Sequence, residues 1–134
     1  MMRAVSAAPG PTSDPVTDVT DMIDQHDALL ADLDGTLYRG QQAIPAAVEA
    51  VTRAAARGVR TIYITNNASR SPSDVAAHLT ALGYPAAAED VVTSAQAAAA
   101  QLAEQLPTGS RVLVVGSAAL AEEIQRVGLA VTDH

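Results

Sequence analysis

No cysteine occurs among the 134 residues, which excludes disulfides, thiolate nucleophiles and Cys-ligated zinc. Tryptophan and phenylalanine are also missing, and tyrosine occurs three times. Apolar burial is therefore expected to rest on Ala, Val, Leu and Ile in a lean core. Lysine is absent as well, all 8 basic residues being arginine, and 15 acidic residues bring the formal charge to −7. A charge of that sign repels nucleic acid and anionic membrane surfaces, so neither is an expected partner. The opening MMRAVSAAPGPTSDPV carries Pro, Gly and Asp where a signal peptide needs an apolar core. No later stretch approaches the ~20 apolar residues of a membrane span. A cytoplasmic protein is the expectation.

What is present fits one domain. Residues 1 to about 17 are rich in Pro, Ser, Ala and Gly without apolar periodicity and read as a disordered leader, with weak order at most through residue 24. DVTDMIDQHD, 18 to 27, offers a short helical turn, with a solvated acidic run as the favoured reading. ALLADL, residues 28 to 33, is a short apolar run ending in a Gly-containing turn, as expected of a buried parallel strand. Pro45 opens a helix whose apolar face is Val48, Val51 and Ala55, with Gly58 at its C-terminal stop. VRTIYIT, 59 to 65, is the second predicted strand. Ser71, Pro72 and Asp74 then predict a capped helix that stops at Gly83, and Thr93 and Ser94 cap an Ala-rich helix through Leu106. RVLVVG, 111 to 116, is the third predicted strand, followed by a helix capped by Ser117 and stopped by Gly128. This order predicts a doubly wound α/β fold: a parallel sheet in strand order 1-2-3, with helices on both faces.

Ligands of such sheets bind beyond the carboxyl ends of the strands. The first strand ends in Asp32-Leu33-Asp34-Gly35-Thr36. Two carboxylates one residue apart point to the same side of a regular strand, and Gly35 lets the chain turn so that each is aimed separately. One carboxylate can then attack while the other manages a proton. A bare DxDG is also a common strand-terminating turn. An EF-hand loop counted from Asp32 would need Gly and Glu where Leu37 and Ala43 stand, so that reading fails. The second strand ends in Thr65-Asn66-Asn67-Ala68-Ser69, whose hydroxyls, amides and backbone N–H groups can hold phosphate oxygens without adding charge. Either turn alone has an ordinary structural explanation; two of this composition at one sheet edge point to a site.

DLDGTLY followed by TNNAS resembles the first two motifs of the haloacid dehalogenase superfamily, and within it the class IIA phosphatases. LYRGQQAIP looks like that subgroup's flap, and SPSDVAAHLTALG and EDVVTSAQAAAAQL are similar to its following segments. The likeness runs over about residues 27 to 134 and is strongest to actinobacterial glycerol-3-phosphate phosphatases. It implies a Rossmann-like core of which residues 25 to 134 would be the N-terminal part. It also implies Mg²⁺-dependent hydrolysis of a small phosphorylated metabolite such as glycerol 3-phosphate. In that scheme Asp32 attacks phosphorus to form an aspartyl-phosphate, and Asp34 protonates the leaving group and then activates water. Mg²⁺ would sit on the Asp32 carboxylate and the Asp34 carbonyl. Gly35 and Thr36 would start the turn that lets the flap move, and Thr65, assisted by Asn66 and Asn67, would bind the phosphoryl group. A neighbouring anion and partial burial are expected to favour the proton-bearing form of Asp34.

The resemblance also implies a third-motif lysine, a later acidic pair for the metal and a substrate-selecting cap, none of which this sequence contains. An incomplete enzyme is the expectation, with a non-catalytic phosphate- or partner-binding fragment as the alternative. In the family's strand order the missing strands would cover the far side of the first strand. That strand is accordingly expected to be an exposed edge, open to pairing with another chain.

Overall fold

The computed structural model describes residues 19–132; the leader expected over 1 to 17 lies outside them. The elements are α1 (Val19–Asp24), β1 (Ala28–Asp32), β2 (Tyr38–Arg39), β3 (Gln42–Ala43), α2 (Pro45–Ala56) and β4 (Arg60–Thr65), then α3 (Pro72–Ala81) and β5 (Val91–Thr93). The chain continues through α4 (Ser94–Gln105), β6 (Arg111–Leu113), α5 (Ala118–Arg126) and β7 (Ala130–Thr132). The segment favoured as a solvated acidic run is instead helical over α1, tied to α2's end by Asp24 and Arg57 at 2.9 Å.

The predicted caps are formed. The Ser71 hydroxyl accepts from Asp74 N at 3.1 Å while the Asp74 carboxylate accepts from Ser71 N at 3.4 Å, closing a reciprocal box at the start of α3. Thr93 and Gln96 repeat it for α4, and Ser117 Oγ accepts from Leu120 N for α5. Helix α2 stops at Gly58, whose φ of +80° is a backbone state that other residues enter only with strain.

The parallel α/β fold holds, with one strand reassigned. The main sheet is β1-β4-β5, all parallel. Its third member is Val91–Thr93, in register Tyr63↔Val91 and Thr65↔Thr93, and not the predicted 111 to 116. Residues 111–113 instead pair in parallel with β7 in a separate two-stranded sheet. The reason is local. Val91–Thr93 follows α3 closely and takes the open edge of β4, and the 12 residues of α4 then carry the chain away from that edge. There β6 half-buries Val112 in a second cluster around Ala99, Ile124 and Leu129, while Leu113 and Val115 stand in solvent.

Among the described residues one face of the main sheet is packed and the other is open, where helices on both were expected. Ala31, Tyr63 and Val91 point into a core completed by Val51 of α2 and by Val75, Ala76 and Leu79 of α3. Side chains alternate across a strand, and the intervening Leu30, Ile64 and Val92 remain 66%, 39% and 41% exposed. Among the described residues β1 is an edge strand, as expected. The core is not purely aliphatic either. Its largest fully buried side chains are Tyr63 and Tyr84, each with its hydroxyl satisfied by a backbone carbonyl, that of Pro85 for Tyr63 and that of Leu37 for Tyr84.

Candidate active site

β1 and β4 run side by side with Asp32 opposite Ile64, so Thr65 lies one residue beyond the partner of Asp32 at the same end of the sheet. Past Asp32 the chain turns on Gly35, whose φ is +83° and around which a Cβ would meet nothing within 4 Å. Glycine is thus required there by backbone conformation and not by space. The Leu33 carbonyl accepts from the backbone N–H groups of Thr36, Leu37 and Tyr38, and Gly35 N donates to the Tyr38 carbonyl at 2.8 Å. This knot buries Leu33 and Leu37 and leaves Asp32 and Asp34 exposed on either side of them. The Thr36 hydroxyl lies 3.4 Å from Asp32 Oδ2, a long contact that leaves the carboxylate largely free.

The chain then forms the β2–β3 hairpin, a flap that the sequence suggested without predicting its strands. Between this flap and the loop after β4 lies a cleft of about 230 Å³, lined by Asp34, Tyr38, Gln41, Thr65, Asn67, Arg70 and His78 among others. Of the site residues expected from the sequence, Asp34, Thr65 and Asn67 therefore share one cavity. Asp32 flanks it: both carboxylates act on the Tyr38 phenol, which is held above its ordinary pKa by burial first and by the charges of Asp34 and Asp32 after it, with Arg70 opposing them. Gly35 and Thr36 shape the turn and do not line the cleft. Asn66 does not line it either; its carbonyl accepts from the Ser94 hydroxyl at 3.0 Å. Asp34 is exposed, where partial burial was expected.

The Thr65 side chain is buried with its oxygen accepting from Asn67 N at 3.1 Å, leaving the hydroxyl proton free to donate into the cleft. Asn67 Oδ1 accepts both Ser69 N and Ser69 Oγ, at 2.8 and 2.6 Å, which leaves its NH₂ as the free end. From outside, Ser117 Oγ donates to the Ala68 carbonyl at 2.8 Å. Ser117, expected as a helix cap in preference to a phosphate-binding turn, is a cap and a brace. Arg70 and His78 were missed. His78 stacks edge-on against Tyr38, ring centres 5.0 Å apart. The helical spacing from Val75 was the signal that would have put it on an inward face.

For a metal, the turn offers two exposed carboxylates one residue apart. These are hard oxygen donors of the kind Mg²⁺ prefers, and too few to hold it without water or further ligands. Among the described residues no group of three or more His, Asp or Glu side chains converges.

A parallel sheet with a DxDGT turn beside a hydroxyl- and amide-bearing loop defines a class. Residues 29–130 match the family model for haloacid dehalogenase-like hydrolases, and the chain belongs to that family. Among its relatives, the D-glycerol 3-phosphate phosphatase of Mycobacterium tuberculosis is 53% identical over 105 residues, covering 78% of this chain and 29% of that protein. The acid sugar phosphatase of Staphylococcus saprophyticus is 37% identical over 106 residues, covering 79% and 40%. The crystal structure of the M. tuberculosis glycerol phosphate phosphatase in complex with magnesium superposes with a TM-score of 0.77 at 51% identity, over 82% of this chain and 33% of that one. The chain thus spans between about three-tenths and two-fifths of the length of these relatives. Among the described residues no helix is long and apolar enough to cross a membrane.

Proposed function

We propose that this chain carries the nucleophile half of a Mg²⁺-dependent phosphatase site that hydrolyses small phosphate monoesters, glycerol 3-phosphate being the favoured example. The observation that carries the reading is the gathering of Asp34, Thr65 and Asn67 around one cleft, with Asp32 at the adjoining strand end. An Asp32 oxygen attacks phosphorus as the ester P–O bond breaks, and Asp34 gives its proton to the departing alkoxide. Asp34 then takes a proton from water as that water attacks phosphorus, which releases phosphate and restores Asp32. The Thr65 hydroxyl and Asn67 amide donate to the phosphoryl oxygens, and Gly35 and Thr36 hold the turn. The Asp32 carboxylate and the Asp34 carbonyl would hold Mg²⁺, which would screen the repulsion between the anionic nucleophile and the phosphate.

Residues 25 to 134 are read as the N-terminal part of such an enzyme's core, with residues 111–132 as a smaller α/β unit beside it. The partial coverage of the relatives and the lack of lysine support this. A cytoplasmic setting, where small phosphorylated metabolites are held, goes with it. The bare edge of β1 is read as a pairing surface for a further strand, supported by its end position in the sheet.

Hydrolysis of p-nitrophenyl phosphate with Mg²⁺ tests the reading, with Asp32→Asn as control. Turnover that disappears in the variant supports it. Phosphate binding without turnover favours a non-catalytic binding fragment, and neither binding nor turnover refutes both.

A further inference from the structure

A phosphate dianion beside two carboxylates is favoured by positive charge in addition to that of Mg²⁺, and these 134 residues include no lysine. Among the described residues the cleft wall holds a single arginine, Arg70. Four other arginines are paired elsewhere, Arg53 to Glu49, Arg57 to Asp24, Arg60 to Asp90 and Arg126 to Glu123, and Arg39 and Arg111 do not line the cleft. Arg70 has no ion-pair partner among the described residues. Its backbone is nonetheless fixed from both sides. Ser69 N and Oγ donate to Asn67 Oδ1, and Ser71 is locked to Asp74 by the cap of α3. The guanidinium is therefore a free charge on an anchored stem, on the same wall as Thr65 and Asn67 and within electrostatic reach of the Tyr38 phenol, as Asp32 and Asp34 also are.

We propose that Arg70 is a phosphate contact of this site, its guanidinium fork taking two phosphoryl oxygens on the loop side of the cleft, opposite the carboxylates. The planar fork matches a phosphate in a way a point charge does not, and an arginine stays charged at any working pH. The assignment rests on the reading of the cleft as a phosphate site and names the residue on this chain that balances its charge.

The test is titration of the 134-residue chain with inorganic phosphate at saturating Mg²⁺, following the Arg70 Nε–H and the Thr65–Asn67 amides by NMR and taking dissociation constants at two salt concentrations. Arg70→Ala should weaken phosphate about tenfold or more and flatten the salt dependence, because one charge-assisted pair is lost. Arg70→Lys should fall between, keeping charge without the fork. Arg111→Ala, on β6 away from the cleft, should match wild type. The Nε–H of Arg70 should shift on phosphate addition in the wild-type chain, a readout that does not depend on any variant folding. Unchanged affinity in Arg70→Ala with loss in Thr65→Val, or shifts in the loop amides with none at Arg70 Nε–H, would overturn the Arg70 assignment and leave the phosphate site standing. No phosphate binding by the wild-type chain would remove both.

Discussion

The Tyr84 hydroxyl donates to the carbonyl of Leu37, 47 residues earlier, at 2.5 Å, and also lies 3.5 Å from the Ile44 carbonyl. Those two carbonyls are the feet of the flap, themselves joined by Ile44 N donating to Leu37 O at 2.8 Å. A buried phenol just past α3 thus holds both ends of the hairpin that forms one wall of the cleft. Tyr84→Phe should cost about 1 kcal/mol of stability, since one hydrogen bond is lost while the Leu37 carbonyl keeps another donor. Amide exchange should quicken in residues 38–43 more than in β4. Urea unfolding and hydrogen exchange check both, and uniform exchange would deny Tyr84 this role.

Ser117 offers a separation of roles. Its oxygen caps α5 and its proton goes to the Ala68 carbonyl. Ser117→Ala loses both and should cost about 1 kcal/mol. Ser117→Asp keeps an acceptor for the cap but has no proton to donate, so stability should largely recover while phosphate binding stays weakened. Equal phosphate affinity in wild type and Ser117→Asp would show that the brace is immaterial to the loop.

Stability should fall in strong alkali because of Tyr63. It is fully buried, and burial, followed by the charge of Asp90 and then Tyr84, pushes its phenol from 10.0 up to about 12. The folded state therefore holds the proton after the unfolded state has released it. The contribution is complete below pH 10 and is lost as pH rises toward 12, amounting to about 2 kcal/mol. Tyr63→Phe should flatten the decline of urea midpoints in that window. An unchanged slope would put the effect elsewhere.

The open face of the sheet makes a further prediction. Leu30 is 66% exposed on an unpaired edge strand, so Leu30→Gln should leave stability within about 0.5 kcal/mol and reduce self-association in sedimentation experiments. A large loss of stability would mean that Leu30 is covered in solution.

Local signals were legible in the sequence. The caps at Ser71, Thr93 and Ser117, the first two strands and the two polar turns at one sheet end all follow from short-range chemistry. Partner choice was not. RVLVVG has the composition of a central strand, but hydrophobicity says that a segment will pair, not with which edge. The pairing went to three residues, Val91–Thr93, too short to show periodicity. The same limit hid Ser94 and Ser117, whose bonds to the Asn66 and Ala68 carbonyls span 28 and 49 residues. Arg70 belongs to no short pattern, and the helical spacing that turns His78 inward does not say what it meets; folding the flap against α3 sets both beside Asp34.

The central claim is that the DxDGT turn and the Thr65 loop form one phosphate site, and backbone NMR of the intact chain during sequential addition of Mg²⁺ and then phosphate tests it most directly. The account predicts Mg²⁺ shifts concentrated at residues 32–36, followed by phosphate shifts at residues 65–70, with the first set abolished in Asp32→Asn. Mg²⁺ shifts confined to other acidic stretches such as Glu122 and Glu123, or phosphate shifts away from the cleft, would contradict it.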